Sequence, residues 1–332
     1  RRMTFASFVG CMTKSVREKS LSSQGSWGAD VMGGACASNE VGIAGGERYT
    51  RPAASATADR GAYVARILFW NLNRLSITNP VVAVAKSLLP EVLILAEAES
   101  VRGDIQKALA SAGLTYTVDA VSKRFVMCFR DLRLVPVEDG PRVTVRRVQR
   151  KGHLDVLLVA MHLPSKLFFS QADQTLNAPA YADDIRRWER DAKHERTVVV
   201  GDLNMSPFDP GVVGASGFHA VSSRAVARRG SRKVDGRTYP FFYNPSWRLF
   251  ARDGAPPASY YRSESKQEAH FWYMLDQVLV RPALLEHFQD SSLRLVTAGE
   301  GIELLSSNGE PCVSDHLPLY FELNLPKEVV AQ

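Results

Sequence analysis

Arg196-Thr-Val-Val-Val-Gly-Asp-Leu-Asn-Met-Ser-Pro207 is the stretch around which this chain is organised. Thr197 to Val200 are β-branched and end at Gly201, which predicts a buried strand. Asp202 and Asn204 follow just past the strand end, and alternation in the pleat lets both project the same way from one rigid edge. Ser206 and Pro207 end the strand and open a loop, the usual place for catalytic groups held by a scaffold. An anionic acceptor beside a neutral amide suits a site that activates water while tolerating phosphate charge. Gly-Asp after a strand is also common turn chemistry, so the motif takes its weight from what surrounds it.

Working outward, the same pattern recurs. Tyr181, Ile185, Trp188 and Ala192 stand at helical spacing with charges between them, predicting an amphipathic helix that packs before the central strand. Leu154 to Ala160 reads as another buried strand and delivers Met161-His162-Leu-Pro-Ser165-Lys166. Earlier, Arg66-Ile-Leu-Phe-Trp70 ends in Asn71-Leu-Asn73, a short helix covers Pro80 to Leu89, and Val92 to Leu95 ends in Ala96-Glu97. If those two strands are parallel, their polar ends share one edge of the sheet. A helix over Arg102 to Ala112 and strands near Thr115–Val118, Phe125–Phe129, Leu132–Val137 and Val143–Val148 fill the interval. Downstream, Met274 to Val280 predicts a strand carrying Asp276, and Val313-Ser-Asp315-His316 feeds the last strand.

Between the Asn204 and Asp276 segments lies a basic loop with Arg224, Arg228, Arg229, Arg232, Lys233 and Arg237 against Asp235 alone. Tyr239, Phe241, Phe242, Tyr243 and Trp247 follow it. For the aromatics, burial is at least as good an explanation as base stacking. The basic residues are expected to reach the site edge and track a phosphate backbone.

Composition bounds the rest. A chain of 332 residues holds one large α/β domain or two small ones, and no apolar run reaches a membrane-spanning length. Stable membrane insertion is therefore not expected. Cys11, Cys36, Cys128 and Cys312 are scattered without a Cys-x-x-Cys pair, which argues against a disulfide framework or structural zinc and fits a reducing, cytoplasmic setting. The net charge of +6 leans toward an anionic partner. Residues 1–62 carry 8 Lys/Arg against 5 Asp/Glu, leaving 33 against 30 in the remainder, so distribution matters more than total. Those 62 residues are rich in Gly, Ser and Ala without a sustained period and are expected to form a disordered tail. One domain is expected over 63–326, with 327–332 a short tail. No obligate protein partner is inferable.

Taken alone, each polar group has a bland explanation: Glu97 as a solvated rim residue, Asn71 and Asn73 as turn formers, Ser314-Asp315-His316 as a loop. Together they all follow apolar strands, and hard oxygen donors favour Mg²⁺ or Mn²⁺. Glu97 is the first choice for the metal carboxylate, with Asn71 and Asp315 near it. His316 can act as a general base if Asp276 fixes its tautomer.

Phe69-Trp-Asn71-Leu-Asn73, Leu93-Ile-Leu-Ala-Glu97, Met161-His162-Leu-Pro-Ser165, Val200-Gly-Asp202-Leu-Asn204-Met-Ser-Pro207, Leu275-Asp276-Gln-Val-Leu and Ser314-Asp315-His316 occur in one order. In that order the chain resembles the endonuclease/exonuclease/phosphatase superfamily from about Arg66 to Leu325. The resemblance implies a four-layered α/β sandwich: two packed mixed sheets flanked by helices, with the site at one edge. It further implies that Glu97, Asn71 and Asp315 bind the metal, that Asp202 orients or deprotonates the attacking water, and that Asn204 holds the scissile phosphate. His316, held by Asp276, would be the general base or a phosphate-oriented catalyst, and His162 would donate to a phosphate oxygen. Whether Asp202 or His316 takes the proton is left open. Asn73, Lys166, Arg228, Arg229, Arg232 and Lys233 are assigned to substrate. These expectations describe a Mg²⁺-dependent phosphodiesterase acting on nucleic acid. The alternatives are a phosphatase or sphingomyelinase-like headgroup hydrolase on the same scaffold and a non-catalytic nucleic-acid-binding module.

Overall fold

Alternation along the apolar strands decides the layering. The computed structural model describes residues 63–328 except 121, 123, 167, 251, 253 and 264–269. The tail expected over 1–62 lies outside the described residues, as do 329–332. In chain order, β1 (Val64–Asn71), α1 (Thr78–Leu88) and β2 (Val92–Ala96) are followed by α2 (Ile105–Ser111), β3 (Thr117–Val118) and β4 (Val126–Phe129). Next come β5 (Arg133–Asp139), β6 (Val143–Gln149), β7 (Val156–His162), α3 (Gln171–Ala192) and β8 (Thr197–Asp202). Shorter elements follow: α4 (Pro210–Val213), β9 (Ala220–Val221), α5 (Arg224–Ala227), β10 (Ser231–Val234), β11 (Arg237–Pro240), β12 (Phe242–Tyr243), β13 (Tyr260–Tyr261) and β14 (Trp272–Tyr273). The chain closes with β15 (Asp276–Val280), β16 (Arg294–Leu295), β17 (Ala298–Gly299), β18 (Ile302–Glu303) and β19 (Leu319–Asn324).

Two mixed sheets result. One has the order β16-β19-β1-β2-β4-β3 and the other β5-β6-β7-β8-β15-β12-β9. Ile67, Phe69 and Ile94 of the first meet Leu158, Val198, Val200 and Val278 of the second in a common core. The alternate residues Leu68, Trp70, Leu93 and Leu95 pack outward on Val81, Val84, Ile105 and Leu109 of α1 and α2. Leu157, Val159, Val199 and Leu279 do the same against Ile185 and Trp188 of α3. Strands buried on both faces read as continuous apolar runs, which is why Val92–Ala96 and Thr197–Val200 show no polar alternation. The outcome is the four-layered α/β sandwich.

Local chemistry explains the boundaries. Pro80 lies in the first turn of α1, where its missing N–H breaks no helical bond. Helix α3 begins well before the stripe that starts at Tyr181, because Ser170 caps it: Asp173 N donates to Ser170 Oγ at 3.2 Å and Ser170 N to Asp173 Oδ2 at 2.9 Å. Gly201 is required by its neighbour strand, since a Cβ there would stand 1.9 Å from the Met161 carbonyl oxygen. The stretch expected as a basic loop is instead α5 followed by the β10–β11 hairpin.

Candidate active site

Strand register brings the polar ends together. In the second sheet Asp202 lies opposite His162 on parallel β7 and opposite Asp276 on antiparallel β15. In the first sheet Asn71 at the end of β1 lies opposite Ala96, one residue before Glu97. Ser314 Oγ donates to the Asn71 carbonyl at 2.9 Å, and Trp70 Nε1 donates to the His316 carbonyl at 2.9 Å, fixing the loop ahead of β19 against β1. The site therefore sits in the seam where the edges of two sheets meet.

Asp202 is the hub. Its Oδ2 accepts from Asn71 Nδ2 at 3.1 Å, across the seam, and its Oδ1 accepts from Asn204 N at 2.9 Å. The same Oδ2 lies 3.7 Å from His162 Nε2 and 3.9 Å from His316 Nε2. His316 Nδ1 pairs with Asp276 Oδ2 at 2.7 Å, and Asp276 N donates to Ser259 Oγ at 3.0 Å. Asn204 Nδ2 donates to the Leu163 carbonyl at 2.9 Å. Tyr260 tilts over the His316 ring, 4.7 Å between centroids. Asp202, Asp276 and His316 thus form a buried cluster whose ligand atoms all lie within 4.8 Å of one another.

Burial and charge set the protonation. Burial alone would lower His316, but the charge and hydrogen bond of Asp276, with Asp202 and Asp315, outweigh it and hold the imidazole above its usual range. Burial lifts Asp202 above the usual carboxylate range against the opposing His316, with Asp276 adding to the rise. Burial first and the Arg124 charge second push His162 down to about 3, so its ring is neutral.

Glu97, Asn73 and Asn204 share a backbone feature, with φ of 45°, 49° and 51°. Asn tolerates the left-handed region; Glu does so at a cost, and such outliers concentrate at functional positions. Glu97 Oε1 lies 3.4 Å from His162 Nε2, and Oε2 pairs with Arg74 at 3.1 Å. Two sets of groups are chemically able to hold a cation. The Asp202–Asp276–His316 cluster is buried, the Asp276 side chain wholly so, and Asp276 and His316 are already paired with each other at 2.7 Å. Glu97 is 19% exposed in its side chain, and its charged partner Arg74 is a surface arginine, held by a weak and displaceable bond. The Glu97 carboxylate, one residue beyond the Asn71–Ala96 register pair, fits a hydrated hard cation better.

Not every expected residue joins this group. Asp315 is half-buried on the wall of a cleft of about 510 Å³ that Tyr260, Tyr261 and Arg262 also line. Asn73 is exposed at the rim, its N–H donating to Asn71 Oδ1 at 3.0 Å. Lys166 turns to Asp209 at 2.9 Å and braces two loops, its charge already neutralised. Arg228, Arg229, Arg232 and Lys233, expected to contact substrate, are not brought to this group. β12 meets β15 at Val280, the end opposite Asp276, and Arg228 pairs with Glu286 just beyond that end. Arg232 Nε contacts His219 Nε2 at 2.9 Å. The hairpin departs from the far edge of the sheet because antiparallel pairing with β15 carries the residues before Tyr243 away from the seam.

Sequence reasoning missed Arg124, whose Nη2 lies 2.5 Å from His162 Nδ1, and Arg142, whose carbonyl accepts from His162 N at 2.9 Å. Both flank predicted strands, and nothing in their local pattern separates them from ordinary surface arginines.

No protein-family model and no curated protein matches the sequence. Solved structures do. ANGEL2, a 2',3'-cyclic phosphatase, aligns with a TM-score of 0.51 at 15% identity over 79% of this chain and 95% of its own. An AP endonuclease from Archaeoglobus fulgidus aligns at 0.48 and 15% identity, over 79% and 100%. Truncated Caenorhabditis elegans TDP2 aligns at 0.47 and 14%, over 79% and 98%. At such identity the likeness speaks to architecture, and the chain has the fold of the endonuclease/exonuclease/phosphatase superfamily.

Proposed function

We propose that this protein is a divalent-metal-dependent phosphodiester hydrolase acting on nucleic acid. The observation that carries it is the convergence of Asp202, Asp276, His316, His162 and Asn71 on one seam, with Glu97 at its open side. Mg²⁺ or Mn²⁺ held by Glu97 with Asn71 would supply charge stabilisation to a phosphoryl oxygen. Asp202 orients the attacking water and takes its proton, since its raised affinity for a proton suits a base near neutral pH. His316, kept charged by Asp276, holds a phosphate oxygen from one side, and the neutral His162 donates from the other. Asn204 helps seat the scissile phosphate.

With the basic hairpin away from the seam, nucleic acid as the substrate is supported by other groups. Half-buried Tyr260 lies against His316 and leads a β13–β14 hairpin that also carries Tyr261, Trp272 and Tyr273 as stacking faces, while Arg124 and Arg142 lie beside His162. A second reading, headgroup hydrolysis at a lipid surface, is favoured by Phe168 and Phe208. They are 84% and 56% exposed on the loops that follow His162 and Asn204. Among the described residues no helix is long and apolar enough to cross a membrane. A reducing, cytoplasmic setting fits Cys128 and Cys312, both free.

The test is hydrolysis of plasmid, single-stranded DNA, RNA, a chromogenic phosphodiester and sphingomyelin vesicles, each with Mg²⁺ and with EDTA. Metal-dependent cleavage of a nucleic acid and of the small diester is expected. Cleavage of vesicles alone would install the second reading, and no cleavage of any substrate would overturn both.

A further inference from the structure

The contact between Arg124 and His162 has a chemical direction. A guanidinium carries only donors, so the bond of 2.5 Å to His162 Nδ1 requires that nitrogen to accept and to hold no proton. The ring proton then sits on Nε2, which faces Glu97 Oε1 at 3.4 Å and Asp202 Oδ2 at 3.7 Å. A carboxylate in place of Arg124 would do the reverse, accepting from Nδ1–H and turning the ring toward a charged form.

Arg124 is otherwise short of partners. It is half-buried, makes no ion pair among the described residues, and its Nε is buried without a hydrogen-bond partner. The imidazole is its one hydrogen-bonded side-chain partner among the described residues. A partly desolvated cation without a carboxylate is costly where packing alone is at stake. The cost is explained if the charge serves the ring and the phosphate that the ring is to meet. Arg124 also comes from the first sheet, just before β4, whereas His162 ends β7 of the second, so the contact ties the imidazole across the seam.

We infer that Arg124 is a positioning residue that fixes His162 as the neutral Nε2–H tautomer, so that this ring serves the reaction only as a hydrogen-bond donor. The inference rests on the phosphodiester-hydrolase function proposed above.

The experiment uses the full chain, ¹⁵N-labelled and held in EDTA at one neutral pH, with the imidazole nitrogens read by two-bond ¹H–¹⁵N correlation. His162 signals are assigned by their loss in His162→Asn. The wild type is expected to show Nε2 protonated and Nδ1 bare. Arg124→Gln, whose amide still donates to Nδ1, should keep that pattern. Arg124→Glu should protonate Nδ1 and lower kcat on the chromogenic diester about 10- to 100-fold, a share of the ~10²–10⁴ that a positioned proton donor supplies, with KM moving far less. A wild-type ring protonated on Nδ1 would overturn the assignment. So would an Arg124→Glu protein whose spectrum and kcat match the wild type. If the spectra behave as expected while no phosphoester is cleaved, the tautomer assignment stands and the proposed function falls.

Discussion

β8 and β15 run side by side, and their two ends have been put to opposite uses. At one end Asp202 and Asp276 lie opposite each other in register, two buried carboxylates beside His316. At the other, Arg281 follows Val280, its side chain 1% exposed and paired with Glu189 of α3 at 2.8 Å, and its guanidinium stacks 3.7 Å from the Phe242 ring. Both ends bury charge. At the far end one cation meets one anion with a hydrogen bond to the Phe241 carbonyl besides, so the pair is satisfied and inert. At the seam the anions exceed their partners, and Asp276 Oδ1 is buried without a hydrogen-bond partner among the described residues. Unbalanced buried charge raises proton affinities and leaves groups ready for a ligand, which is why chemistry belongs at the first end and stability at the second.

The sharpest way to break this comparison is to neutralise the seam. Asp202→Asn or His316→Ala should reduce turnover by roughly 10³-fold or more with little change in Tm, as expected for a positioned base or charge in phosphoryl chemistry. Because His316 and Asp276 act as a unit, His316→Ala combined with Asp276→Asn should lose no more than His316→Ala alone. Losses that multiply would show the two acting independently. Next in size is Glu97→Gln. Calorimetric Mg²⁺ titration of the protein without substrate should show binding weakened by about tenfold or more, with kcat falling alongside. Unchanged metal affinity would move the cation to the buried Asp202–Asp276–His316 cluster.

The far end should answer in stability instead. Arg281→Met strands the Glu189 carboxylate and is expected to cost about 3 kcal/mol in urea denaturation, with turnover per folded molecule unchanged. Glu189→Met added to it should recover most of that loss. The smallest effect is expected from the hairpin. Replacing Arg228, Arg229, Arg232 and Lys233 by Ala should leave small-diester hydrolysis and the salt slope of nucleic-acid binding as they were, since these residues lie beyond the Val280 end. A flatter slope would restore the hairpin as an accessory contact.

What the sequence determined by itself was the layering and the strand-end carboxylates, amides and imidazoles. Strands buried on both faces must be apolar almost throughout, so Thr197–Val200, Val92–Leu95 and Val156–Ala160 stand out locally, and each polar residue that ends them is conspicuous by contrast. Tertiary structure alone decided which charges meet. Lys166 and the basic hairpin satisfied every local criterion for phosphate contact, yet Asp209 neutralises the first and antiparallel pairing of β12 with β15 carries the second to the wrong end. Arg124 satisfied none and lies against His162, because its place depends on how the edges of two sheets converge. Burial and polarity patterns are short-range and are written along the chain. The partner of a charge is set by contacts between residues distant in sequence, and those exist only once the two sheets have packed.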